Sequence, residues 1–156
     1  MKTTAIGLNV KETEGLIISL NELLANFQVY YQNLRGLHWN IKGKSFFELH
    51  VKFEEFYTDS QEKVDLIAER ILTLGGTPLH TFKDYISLSK VEVGQNIADD
   101  VTSVNLIVDS LSKLLKLERV ILVNSDEAND EGTNAMMSDF IAEQEKTVWM
   151  LNAWLN

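Results

Sequence analysis

The chain has 156 residues, with 14 basic against 23 acidic side chains, a formal charge of -9 and no cysteine. One domain of this size buries a substantial core unaided, disulfides and zinc–thiolate sites are excluded, and the acidic balance opposes a phosphate backbone unless basic residues gather locally. They do not gather, since Lys2 and Lys11 are the only basic residues among the first twelve positions and the last residues, through Trp154 to Asn156, carry none.

The first segment, Met1 to Gly7, lacks the apolar run of a signal peptide. No stretch reaches the roughly eighteen apolar residues of a membrane span. The expectation is a soluble cytoplasmic protein made of a single domain over residues 1–156.

Apolar residues recur every three or four positions in four long stretches, which predicts an all-α domain. The first helix is expected from about Val10 to Trp39, burying Leu16, Leu20, Leu23, Phe27, Tyr30, Leu34 and Leu37, with Asn9 and Glu12 as a capping box. The second opens at Ser45, with Glu48 at capping-box spacing. It runs through Phe46, Leu49, Phe53, Phe56, Val64, Ile67, Ile71 and Leu74 until Gly75-Gly76-Thr77-Pro78 stops it.

Between Thr77 and Gly94 the apolar pattern supports only a short helix covering one side with Phe82, Tyr85 and Ile86, a crossover segment. A third long helix is expected from about Gln95 to Asn124. It reads as the most purely structural of the four, with few potential ligands facing any one way. An acidic link, Asp126 to Gly132, precedes the fourth, which carries Met137, Phe140, Ile141, Val148, Leu151 and Leu155. Long helices with two short links and one longer connection describe a four-helix bundle with a crossover.

The chemistry concentrates in His38, His50, Glu54, Asp65 and Glu69. The turn Asn40 to Lys44 folds the second helix back on the first, so His38 and His50 approach each other. Glu54 follows His50 by four residues and Glu69 follows Asp65 by four, so each pair shares a helix face. His50 and Asp65, however, are separated by about 22 Å along one helix axis, and one ion cannot bridge them.

If two copies of the helix cross antiparallel about a two-fold axis near Asp59 and Ser60, His50 faces Glu69 of the other copy and Glu54 faces Asp65. Each dimer then holds two shared sites, with histidines from one subunit and carboxylates from the other. Imidazole with carboxylate suits iron, with positions open to water or oxidant, and zinc suits the same set. A di-metal centre within one bundle would need Glu-x-x-His pairs, and the sequence contains none. His80 reads as a surface residue. Trp39 reads as packing, with electron donation to an oxidising metal as its chemical alternative.

Leu37-His38-Trp39-Asn40, Phe47-Glu48-Leu49-His50-x-x-x-Glu54, Asp65-x-x-Ala68-Glu69-Arg70 and Leu74-Gly75-Gly76 together resemble the Dps family of mini-ferritins, and the likeness extends over the whole chain. The resemblance implies a ferritin-like bundle and a homo-oligomer, a hollow shell of twelve subunits. It implies ferroxidase activity: oxidation of Fe(II) to Fe(III), preferably by hydrogen peroxide, at sites shared across two-fold interfaces, with ferric mineral stored inside.

It assigns His38, His50, Asp65 and Glu69 as ligands. Glu54 stands where the family usually has aspartate, leaving direct ligation and a supporting role behind the ligands both open. Asp126 and Asp130 are the candidates for acidic three-fold pores, and carboxylates such as Glu55 for mineral nucleation. Many members coat DNA through a lysine-rich tail, which is missing here, so weak or absent DNA binding is expected. The alternatives are a DNA-binding nucleoid protein of the same fold without significant ferroxidase activity, and a helical interaction protein with incidental His and acid residues.

Overall fold

A computed structural model describes all residues, 1–156, as five helices: α1 Val10–Asn40, α2 Phe46–Thr73, α3 Phe82–Leu88, α4 Asp100–Glu127 and α5 Glu131–Leu155. The short links α1–α2 and α4–α5 make each pair antiparallel neighbours, and the crossover between α2 and α4 carries α3 against α1. No helix is long and apolar enough to cross a membrane.

The expected face of α1 is the core. Leu16, Leu20, Leu23, Phe27, Tyr30, Leu34 and Leu37 are all buried, joined by Leu49, Phe53, Ile67 and Ile71 from α2 and by Leu74, which follows it. Ile107, Leu111 and Leu114 of α4 and Met137, Phe140 and Leu151 of α5 complete it. The Phe27 and Phe140 rings meet edge to face at 6.0 Å, tying α1 to α5.

Helix ends follow local chemistry, with corrections to the sequence reading. Asn9 does cap α1, accepting from the Lys11 amide at 2.9 Å. Ser45 does not cap α2 through its side chain. At φ -93° and ψ 14° it is already close to helical, and the entry turn is made instead by Gly43 at φ +112°. Gly75, at φ +89°, reverses the chain after α2, and the following Gly76 lies so close to Ile17 that a Cβ would meet its side chain at 2.7 Å.

The third long helix begins five residues later than expected, at Asp100. Asn96 is left-handed at φ 55°, which breaks the helix, and the Asp99 side chain then accepts from the Thr102 amide at 2.8 Å. The acidic link is shorter than expected, because α4 continues to Glu127 and α5 starts at Glu131. Asn129, at φ 57°, makes the sharp turn between them.

Three asparagines of α1 hold the crossover through its backbone. Asn21 accepts from the Leu79 amide at 2.8 Å, Asn26 from the Lys90 amide at 2.8 Å, and Asn33 from the Gly94 amide at 2.9 Å while donating to the Glu92 carbonyl at 2.6 Å. Polar residues on a long helix thus satisfy backbone groups of a connection that has little secondary structure of its own.

Candidate metal centre

His38 lies in the last turn of α1 and His50 in the first turns of α2, and the link between them is anchored where the Lys42 amide donates to the Ala98 carbonyl at 2.8 Å. The two imidazoles stack with centroids 3.8 Å apart and planes 11° from parallel. Each ring reaches across to the other residue's backbone: His38 Nδ1 lies 2.6 Å from the His50 carbonyl oxygen, and His50 Nδ1 lies 2.7 Å from that of His38.

A carbonyl only accepts, so each Nδ1 must carry the proton and donate it. With Nδ1 engaged in this way, Nε2 is the nitrogen of each ring left to bind a metal. The Phe46 ring lies on His50 at 4.9 Å and the Tyr57 ring meets His38 edge-on at 5.4 Å, so both imidazoles are held in orientation by packing as well.

The carboxylates are placed differently. Glu54, Asp65 and Glu69 are exposed on α2 and form no ion pair within the chain. No group of three or more His, Asp or Glu side chains converges within one chain. The histidines are therefore brought together, and Asp65 and Glu69 are not brought to them.

The remaining candidates separate. Asp126 is exposed at the end of α4. Asp130, expected at a pore, is 1% exposed: it caps α5, accepting from the Thr133 amide at 3.1 Å, and is ion-paired with Arg70. A side chain so enclosed gives no acidic surface, so Asp130 is corrected to a structural cap. Glu55 is exposed and paired with Lys52 at 2.7 Å. Trp39 is 58% exposed and covers no core; the Arg35 guanidinium lies 5.1 Å from its ring. His80 is exposed, as expected.

Sequence reasoning missed a polar layer inside the bundle. Glu118 of α4 is fully buried and accepts from Gln144 Nε2 of α5 at 2.9 Å, while Glu118 Oε1 and Gln144 Oε1 have no partner. Burial pushes the Glu118 carboxyl up to about 8, against the pull of Gln144, Lys63 and Arg119. The Tyr30 phenol is raised by burial and by the charges of Asp59 and Glu118, so it stays neutral. The signal was present, because Glu118 occupies the apolar series Leu111, Leu115, Leu122 at helical spacing. The third long helix thus carries a buried polar pair within its apolar face.

The fold and the paired histidines define a ferritin-like four-helix bundle. The model of the ferritin-like domain matches residues 17–156. The DNA protection during starvation protein of Porphyromonas gingivalis is 40% identical over 148 residues, covering 95% of this chain and 93% of that one. A Dps protein from Vibrio cholerae O1, described as belonging to a broad superfamily of ferritin-like diiron-carboxylate proteins, superposes with a TM-score of 0.98 at 52% identity, over 100% of this chain and 98% of that one. A Dps protein from Bacillus brevis matches with a TM-score of 0.91 at 34% identity over the full length of both chains. The chain belongs to the ferritin family, as a Dps-type mini-ferritin.

Proposed function

We propose that this protein is an iron-detoxifying and iron-storing mini-ferritin, a ferroxidase that takes Fe(II) and hydrogen peroxide as substrates at sites shared between two subunits of a closed, twelve-subunit shell. The observation that carries the reading is the reciprocal lock of His38 and His50, which stacks two imidazoles on one chain and ties each Nδ1 to a backbone carbonyl, leaving Nε2 as the metal-binding nitrogen of each. Their carboxylate complement comes from Asp65 and Glu69 of a second copy, because about 22 Å of helix separates His50 from Asp65 on the same chain.

Imidazole ligands bind a cation without adding charge, and the carboxylates neutralise it and favour the ferric product. Two ferrous ions give one electron each to a peroxide, which takes up two protons and leaves as two waters. Delivering the electrons as a pair avoids hydroxyl radical. Glu54, opposite Asp65 in the crossed arrangement, acts on the same ions from the histidine side. Asp126 remains the candidate at the pore through which ferrous ions enter.

The test is anaerobic loading with ferrous iron, then peroxide, following ferric absorbance, radical yield and iron retained with the particle. Fast oxidation, little radical and retained iron support the reading. Oxidation no faster than in buffer, with iron precipitating outside, rejects it.

A further inference from the structure

The carboxylate half of the candidate site is bracketed by two basic residues, Lys63 and Arg70, and both reach to α5. The Lys63 side chain is 5% exposed, and its Nζ donates to Glu143 at 2.7 Å and to Asp59 at 2.6 Å and lies 5.3 Å from the centre of the Phe140 ring. Burial works against its charge, yet the hydrogen bonds it donates to Asp59 and Glu143 outweigh this and hold the ammonium above its ordinary range.

Seven residues on, Arg70 donates through Nε to Thr133 Oγ1 at 2.9 Å and through Nη2 to Asp130. Its guanidinium lies over Gly132, where a Cβ would meet Arg70 Nη2 at 2.7 Å. The start of α5 is therefore shaped to receive an arginine: Asp130 buried beneath it, Thr133 beside it and a glycine under its plane.

At about 100° per residue, seven residues fall about 20° short of two full turns, so Lys63 and Arg70 lie on one face of α2. Asp65 and Glu69 lie on average about 130° away from them around the helix. Close backbone approach to α2 comes mainly from α1. Its α5 side is held by these long side chains and by apolar contact, and apolar contact has no direction. Two ion pairs two turns apart do have direction, and they tie α2 to α5 at two heights.

We propose that Lys63 and Arg70 are positioning residues, a two-point ionic clamp to α5 that fixes the rotation of α2 so that Asp65 and Glu69 project together toward a metal held by a second subunit. The proposal rests on the shared-site reading above. It adds that the carboxylate geometry is set from within the subunit, on the helix face away from the metal.

The experiment is anaerobic titration of the assembled protein with Zn(II), a redox-inert probe, alongside thermal melts. Asp65→Asn serves as the site control and Leu114→Ala, in the core of α4, as the stability control. Lys63→Met and Arg70→Met are expected to weaken Zn(II) binding by about tenfold or more, the usual effect of removing a group that orients a ligand. Arg70→Lys, which keeps the charge but loses the planar fork, falls in between and covers the case in which Arg70→Met fails to assemble. Leu114→Ala should melt earlier with unchanged affinity.

The clamp is overturned if Asp65→Asn abolishes binding while the Lys63 and Arg70 variants bind as tightly as Leu114→Ala. If Asp65→Asn itself leaves binding unchanged, the shared-site reading fails first and takes the clamp with it.

Discussion

Glu118→Gln isolates one proton in the centre of the bundle. Glu118 and Gln144 are joined by one hydrogen bond, and each has one oxygen without a partner. A proton on Glu118 Oε1 supplies the donor the pair lacks, and it removes a charge from a site that water does not reach. Folding thus raises this acid from its ordinary 4.5 to about 8. The folded state binds the proton more tightly than the unfolded one, so this contribution is fully present below pH 4.5. It is lost as pH rises toward 8, and above 8 the group adds no further slope.

At about 1.4 kcal/mol per pH unit, the whole window amounts to about 5 kcal/mol per chain, an upper figure because water entering the bundle would soften it. Glutamine has the shape of the neutral acid, with an amide to donate where the acid has its proton, and it cannot ionise. Melting followed by circular dichroism from pH 5 to 8.5 should show wild type losing ground to Glu118→Gln as pH rises. About 2–4 °C per kcal/mol makes the separation near pH 8 on the order of 10 °C. Other groups titrate alike in both proteins, so the difference curve reports Glu118 alone. Parallel pH profiles would refute the assignment of a neutral Glu118, as would absence of a protonated-carboxyl infrared band at neutral pH that vanishes in the variant.

His50→Ala and Asp65→Ala homomers should each lose ferroxidase activity at every site, whereas co-refolded mixtures regain one intact site per mixed dimer; mixtures as inactive as the parents would refute sharing between subunits. Asp130→Ala removes the α5 cap and leaves the largely enclosed Arg70 guanidinium unpaired, so it should destabilise the chain by about 3 kcal/mol in denaturant titration. Gly132→Ala should also destabilise, because its methyl displaces the Arg70 guanidinium; unchanged melting would show that the guanidinium has room to move. Duplex DNA should show no gel shift in moderate salt with metal chelated, given the net charge of -9. A clear shift would reinstate the nucleoid-binding alternative.

The sequence by itself determined the helices and the direction each one faces, because apolar residues at 3.6-residue spacing must bury one stripe whatever the partner. Leu20, Leu34 and Ile67 were legible as core for that reason. His38 and His50 were legible as neighbours because a five-residue link leaves the chain no other return path. The separation of His50 from Asp65 followed from helix rise alone.

Tertiary structure decided what depends on groups distant in sequence. The proton position on each histidine is set by the other residue's carbonyl oxygen, twelve residues away. Asp130 has the sequence surroundings of a solvated pore acid, and it is Arg70, sixty residues earlier, that packs against it and makes it a buried cap. Ser45 and Asn96 depended on backbone dihedrals that composition does not encode. Glu118 interrupted an apolar series visibly, but only the packing of α5 against α4 shows that it meets an amide and not water. An amphipathic pattern records which side of a helix avoids solvent, whereas the partner that satisfies a buried polar atom exists only once the helices are assembled.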